Sequence, residues 1–221
     1  MDKHYLGHRI RLKERFEKNP ASLQTYEIIE LLLGFVIKGK DVKPQAKEIL
    51  KKCENLENIF HTKLANIKGV GKETELFFNI IGEFILRAKW EKIKNESFNI
   101  AGPQSVYPFL KNLIGFEKIE KFVILYLNSL NKIISYEIIA TGTVNQTAVY
   151  PREVAKNALN FNAVSVILAH NHPSGNNLPS EQDKILTEKI KEALKLFDIK
   201  VLDHLIITKD SYLSFSAEGM L

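Results

Sequence analysis

His170-Asn171-His172-Pro173, with Ser180 and Asp183 shortly after, is the part of the chain best equipped for chemistry. Two histidines at i and i+2, and an aspartate eleven residues beyond the second, offer two imidazole nitrogens and one carboxylate oxygen. Three protein ligands of that kind are the set of a catalytic zinc site, which leaves a fourth position open to water. Each part also has a plainer reading. Ser180-x-x-Asp183 is a helix-capping pattern, with an acidic residue in the first turn, and His-x-His is a common polar ending to a strand. One serine can cap a helix and still line a site.

The flanking elements must bring these groups together. Residues 163–169 are apolar and β-branched (Val164, Val166, Ile167) and predict a buried strand. Its period-two alternation sends His170 and His172 to one face. From residue 181 a helical pattern runs through Ile185, Leu186, Ile190, Leu194 and Phe197. Ser180 and Asp183 start it, three apart on one face. Pro173, Gly175 and Pro179 shape the loop that folds the aspartate back.

His170-x-His172-Pro173 with Ser180-x-x-Asp183 resembles the JAMM (JAB/MPN) zinc hydrolase motif. The string His-Asn-His-Pro-Ser-Gly at 170–175 resembles the RadC branch of that superfamily, as do Pro151-Arg152-Glu153 upstream and Leu202-Asp203-His204 downstream. Gly7-His8-Arg9-x-Arg11-Leu12, Tyr26-Glu27-x-x-Glu30-Leu31-Leu32-Leu33 and Gly69-Val70-Gly71 fit the same branch, so the likeness covers nearly the whole chain. It implies one Zn2+ per chain on His170, His172 and Asp183, with a water acidified from pKa 15.7 toward ~7. It also implies a glutamate base beside a core strand, which takes that water's proton and returns it to a leaving amine. Glu120, before the 122–127 strand, is the best match, and Glu117 is its competitor. Ser180 matches the residue that stabilises the oxyanion. Asp203 and His204 either orient a ligand from behind or are ordinary strand residues. The implied activity is metallopeptidase or isopeptidase-type hydrolysis of a peptide, isopeptide or other amide. Asn171 departs from the Ser or Thr usual between the histidines of JAMM isopeptidases, which bears on substrate and not on zinc.

Leu64-x-x-Ile67-x-Gly69-Val70-Gly71 resembles a helix–hairpin–helix, whose DNA-binding versions present backbone N–H groups to phosphate. Lys68, Gly69, Gly71 and Lys72 are the candidate DNA contacts. Glu73 and Glu75, early in the following helix, work against a phosphate there. The competing functional reading is therefore a DNA-associated repair or recombination factor of the RadC type. The competing structural reading of the hairpin is protein packing.

A chain of 221 residues, 45% hydrophobic, suits one large domain or two small ones. No run of eighteen apolar residues occurs, and Met1-Asp2-Lys3-His4 lacks the apolar core of a signal peptide. Cys53, alone in the chain, has no disulfide partner and reads as packing. These features predict a cytoplasmic protein without a membrane segment. Residues 1–95 hold 19 Lys+Arg against 13 Asp+Glu, and residues 96–221 hold 12 against 13, so the basic excess lies in the first half.

The first half reads as helices, including two around the glycine turn. The second half reads as a helix at 105–114, strands at 122–127 and 133–140, and a helix at 152–160. The strand at 164–169, the helix at 181–197 and strands at 199–207 and 212–215 complete it. Alternation of this kind calls for a sheet covered by helices on both faces. The expected fold is α+β. A helical domain at 1–97 carries the hairpin, and a three-layer α/β/α mixed-sheet domain at 98–221 is implied by the resemblance to be of the JAMM (cytidine-deaminase-like) type.

Overall fold

A computed structural model of the chain describes residues 4–95, 102–142 and 149–221. Its contacts separate two compact units, Met1–Ile85 and Leu86–Leu221. The division expected at 97/98 lies outside the described residues.

The first unit contains α1 (His4–Lys18), α2 (Thr25–Val36), α3 (Lys43–Cys53) and the beginning of α4 (Lys72–Asn95), with 3-10 turns at Pro20–Ser22 and Glu57–His61. Its core gathers Ile29, Leu33, Ile49, Cys53, Leu64, Ile67, Val70 and Phe78. Cys53 is thus a packing residue. Of the two helices expected around the glycine turn, only the second forms. Leu64 to Val70 makes successive tight turns, with Ile67 N–H donating to Leu64 O and Val70 N–H to Ile67 O. Only a few residues separate the 3-10 turn from Gly69, too few for a stable helix. Leu64 and Ile67 reach the core by turn spacing instead. Gly69 has φ +88°, a region that favours glycine.

In the second unit, α5 (Pro103–Leu110) runs into a wide π-type turn (Lys111–Gly115), followed by β1 (Lys121–Leu127), β2 (Ile133–Thr141) and α6 (Pro151–Asn160). Then come β3 (Ser165–Asn171), α7 (Glu181–Lys195), β4 (Lys200–Ile207) and β5 (Tyr212–Ser214). The sheet order is β2-β1-β3-β4-β5. Among the described strands only β3 and β4 are parallel, and α7 supplies the long crossover that a parallel pair needs.

Strand β3 is buried along its full length, which explains its unbroken apolar run. Its alternation sorts side chains between two cores. Val166 and Leu168 pack with Phe122 and Ile124 of β1, Val154 and Ala158 of α6, and Ile190 and Leu194 of α7. Ile167 and Ala169 pack on the other face with Phe109 and Leu110 of α5 and with Trp90 of α4. Helices therefore cover both faces of the sheet, giving the expected three layers. His170 follows Val166 and Leu168 in phase and so points to the α7 side. Asn171 takes the opposite face.

No helix of the described residues is long and apolar enough to cross a membrane.

Candidate metal centre

The two histidines end β3 where the helix-facing core stops. Gly175, at φ +82°, helps the loop turn back to α7. Ser180 caps that helix. Its Oγ accepts from Asp183 N–H at 3.2 Å, and the Asp183 carboxylate accepts from Ser180 N–H at 2.7 Å and from Ser180 Oγ–H at 2.6 Å. The capping pattern and the ligand pattern are one arrangement, and the cap fixes the carboxylate.

His170, His172 and Asp183 converge as a group able to hold a metal ion. His170 Nε2 lies 3.0 Å from His172 Nε2 and 3.3 Å from Asp183 Oδ1, and His172 Nε2 lies 3.7 Å from Asp183 Oδ2. Tetrahedral ligands about 2.0–2.1 Å from one ion stand roughly 3.3–3.4 Å apart, so these separations bracket that value. His170 and Asp183 are buried, while the His172 side chain keeps 14% of its surface exposed and forms the open side.

The surrounding hydrogen bonds assign the protons. His172 Nδ1 is 2.7 Å from Asn176 O, a carbonyl that can only accept. The neutral ring therefore carries its proton on Nδ1 and a lone pair on Nε2. On the other side, Thr187 Oγ1–H donates to Asp183 O, leaving Thr187 Oγ1 to accept from His204 Nδ1–H at 2.6 Å. His204 Nε2 then accepts from His170 Nδ1–H at 2.8 Å, so the His170 Nε2 lone pair also faces the centre. Burial drives the His204 pKa well below its ordinary value and keeps the ring neutral.

Two lone pairs and a carboxylate pointed at one spot require a positive charge there. Burial opposes the ionised Asp183, yet the adjoining His170 and His172 rings and the Ser180 hydroxyl outweigh it and hold the carboxyl well below the usual range. The neighbouring Asp183 carboxylate raises the His172 pKa against the opposing effect of burial. A proton or a metal ion fits the centre, and the donor set of two imidazoles and one carboxylate is one that zinc takes.

Glu120 lines a cleft of about 520 Å³ together with Phe122, Gly142, Tyr150, His170, Gln182, Leu186 and Lys189. In the β1–β3 ladder Phe122 stands opposite His170. Glu120, two residues earlier, falls on the same face, and its charge is among those that raise His172. Glu117 lies in a different groove with His172, Pro173 and Lys209, and pairs with Lys121 Nζ at 2.8 Å.

Asp203 does not reach the centre. It accepts from His204 N–H at 2.8 Å, Ser216 N–H at 3.0 Å and Ser214 Oγ–H at 2.6 Å, and so organises the turn after β5. Of the Asp203-His204 pair only His204 touches a candidate ligand. Thr187, Phe122 and Gln182 were absent from the sequence expectations. Thr187 was findable as a lone polar residue on the buried stripe of α7, four after Asp183.

Lys68, Gly69, Gly71 and Lys72 belong to the first unit, and all four are exposed.

A family model for the RadC-like JAB domain matches residues 100–220. The chain belongs to this RadC-like JAB family. A UPF0758 protein of Fusobacterium nucleatum subsp. nucleatum is 43% identical over 97% of both chains. UPF0758 proteins of Polaromonas sp. and Nitrosospira multiformis are each 37% identical, over 92% and 96% of both chains respectively. RadC-like membership accounts for the mixed sheet and for a cluster able to hold a metal at the end of β3.

Proposed function

We propose that the protein is a zinc-dependent amide hydrolase of the metallopeptidase or isopeptidase type, with His170, His172 and Asp183 as metal ligands. The observation that carries this is the convergence of two lone-pair-bearing Nε2 atoms and one buried carboxylate at separations of 3.0 to 3.7 Å. A bound zinc would supply Lewis-acid polarisation and lower a coordinated water's pKa from 15.7 toward ~7.

The chain's own residues do the rest. Glu120, on the cleft side of the β1 lead-in, takes the proton of the attacking water and delivers it to the leaving amine nitrogen. Ser180 fixes Asp183. Its hydroxyl donates to that carboxylate in this arrangement, so stabilising an oxyanion requires the hydroxyl to rotate toward the cleft. The cleft past Tyr150, Leu186 and Lys189 receives the substrate, a peptide, isopeptide or other amide.

Elemental analysis of protein purified without added metal is the test. About one zinc per chain, lost in both His172→Ala and Asp183→Ala, is expected, since metal binding follows the ligand set. Hydrolysis of a peptide and isopeptide panel should then be abolished in Glu120→Gln while the zinc stays. Failure to take up zinc on titration overturns the proposal.

A second, separable reading is DNA association through Lys68, Gly69, Gly71 and Lys72. Their exposure and the basic surplus of residues 1–95 favour it.

A further inference from the structure

Asn171 sits between the two candidate ligand histidines, is 1% exposed, and faces away from the metal centre. Three hydrogen bonds of its carboxamide go to one short stretch of chain. Oδ1 accepts from Lys121 N–H at 2.7 Å, and Nδ2 donates to Glu117 O and Ile119 O at 3.3 Å each. Both amide protons are thereby used. The three partners bracket Glu120, whose own carbonyl accepts from Gly142 N–H at 2.9 Å.

Residues 116–120 lie outside the regular ladder, which begins at Lys121 in β1. Irregular chain carrying a functional carboxylate needs other anchors to hold its position. Asn171 spans what a serine or alanine would leave open. It binds the Glu120 stretch from behind to the strand that supplies two metal ligands, so that ligands and carboxylate share one rigid body.

We propose that Asn171 is a positioning residue, which fastens the 117–121 stretch to β3 and thereby sets the Glu120 carboxylate over the centre formed by His170, His172 and Asp183. The inference rests on the reading of Glu120 as the base. It also gives the asparagine between the histidines a task that Ser or Thr at that place could not perform through these three bonds.

The test uses the full-length protein loaded with Co2+, with acetohydroxamic acid as probe. When this acid binds through its two oxygens, its N-hydroxyl proton passes to a nearby carboxylate, so affinity reports whether Glu120 is in place. Glu120→Gln should weaken binding at least about tenfold, the usual scale for a contact around a metal site. Asn171→Ala should lose most of the same factor, and adding it to Glu120→Gln should cost no more than about a further twofold, as coupled residues behave. Hydrogen exchange at 117–121 should rise in Asn171→Ala while 165–170 and the metal content stay unchanged. Asn171→Ser, too short to make the three bonds but neutral and polar, should behave as Asn171→Ala does, and it serves if the alanine variant does not fold. Wild-type affinity in the Asn171 variants, alongside a weakened Glu120→Gln, overturns the inference and leaves Glu120 as base. An unaffected Glu120→Gln overturns that reading and the inference with it. Loss of metal in both Asn171 variants overturns the inference too, since Asn171 would then be acting on the ligands.

Discussion

At the level of single residues, the centre is set by where protons must lie. Asn176 O fixes the His172 tautomer directly. The His170 tautomer is fixed at third hand, through His204 and Thr187. Thr187→Val keeps the shape of the side chain but removes the hydroxyl that accepts from His204 Nδ1–H. His204 would then shift its proton to Nε2 or leave a buried donor unpaired, which costs about 1–3 kcal/mol. The first alternative pushes the His170 proton onto Nε2, where the lone pair is needed. Zinc affinity should fall by about 10–100-fold in Thr187→Val and stay near wild type in Thr187→Ser, as read by competition with a chromophoric chelator. Equal affinity in all three proteins would show that the relay does not set the tautomer. The ligands themselves were legible in the sequence because they lie within fourteen residues of one another. His204 was legible as a candidate beside Asp203 and Thr187 as a polar residue on a buried stripe, but their pairing and the partners of Asn171 were not, because those contacts span 17 and about 50 positions and follow no local period.

Between elements, the polar residues around His8 and Glu27 become contacts of α1 with α2 and with the loop that follows it. Arg15 donates to both Glu27 oxygens at 3.0 and 3.2 Å, while Glu27 also accepts from Gln24 N–H at 2.8 Å at the start of α2. His8 Nε2 lies 3.0 Å from Glu30 Oε1, and Arg9 donates to Gly34 O and Lys40 O. These residues hold a small helical unit together. Burial alone would raise the Glu27 pKa, but the Gln24 N–H and the Arg15 guanidinium outweigh it and depress the carboxyl. A depressed carboxyl contributes stability above its unfolded pKa of about 4.3, and the contribution disappears as pH falls through the folded value. Glu27→Gln should therefore lower stability by about 1 kcal/mol at pH 7, with the gap to wild type closing as pH drops below about 4. Urea unfolding at pH 7 and 3.5 measures it, and a gap that widens on acidification would refute the assignment. Strands and long helices were readable at this scale because burial imposes clear periods on them. The missing first helix of the glycine hairpin was not, since Leu64 and Ile67 have the same spacing in successive turns as in a helix. The wide turn at Lys111–Gly115 likewise continues the apolar pattern of α5, and sequence periodicity shows no break there.

Across the whole molecule, the basic surplus precedes the chemistry in the chain but does not follow the division into units. The metal centre and its cleft belong to the second unit, and half of the surplus of residues 1–95, Arg87, Lys89, Lys92 and Lys94 against Glu91, also lies beyond Ile85. A polyanion attracted by that surplus would meet the exposed turn of Lys68 and Lys72, but also Glu73 and Glu75 in the first turn of α4. Those carboxylates complement the helix dipole and so cancel part of the attraction that a free helix start offers a phosphate. Two lysines can neutralise about two phosphates, so log K against log salt should fall with a slope near −2 for duplex DNA. That is shallow, and it places any association at low salt and without sequence preference. Gel retardation at 50 to 200 mM salt decides the point, with wild type, Lys68→Glu/Lys72→Glu and His172→Ala compared. Retardation that survives His172→Ala and is lost in the double lysine variant assigns DNA affinity to the glycine turn and leaves hydrolysis to the second unit. Retardation unchanged in the lysine variant removes the turn from consideration. No retardation at 50 mM means that the basic surplus is a solvated helical surface, and the glycine hairpin then serves packing through Leu64, Ile67 and Val70.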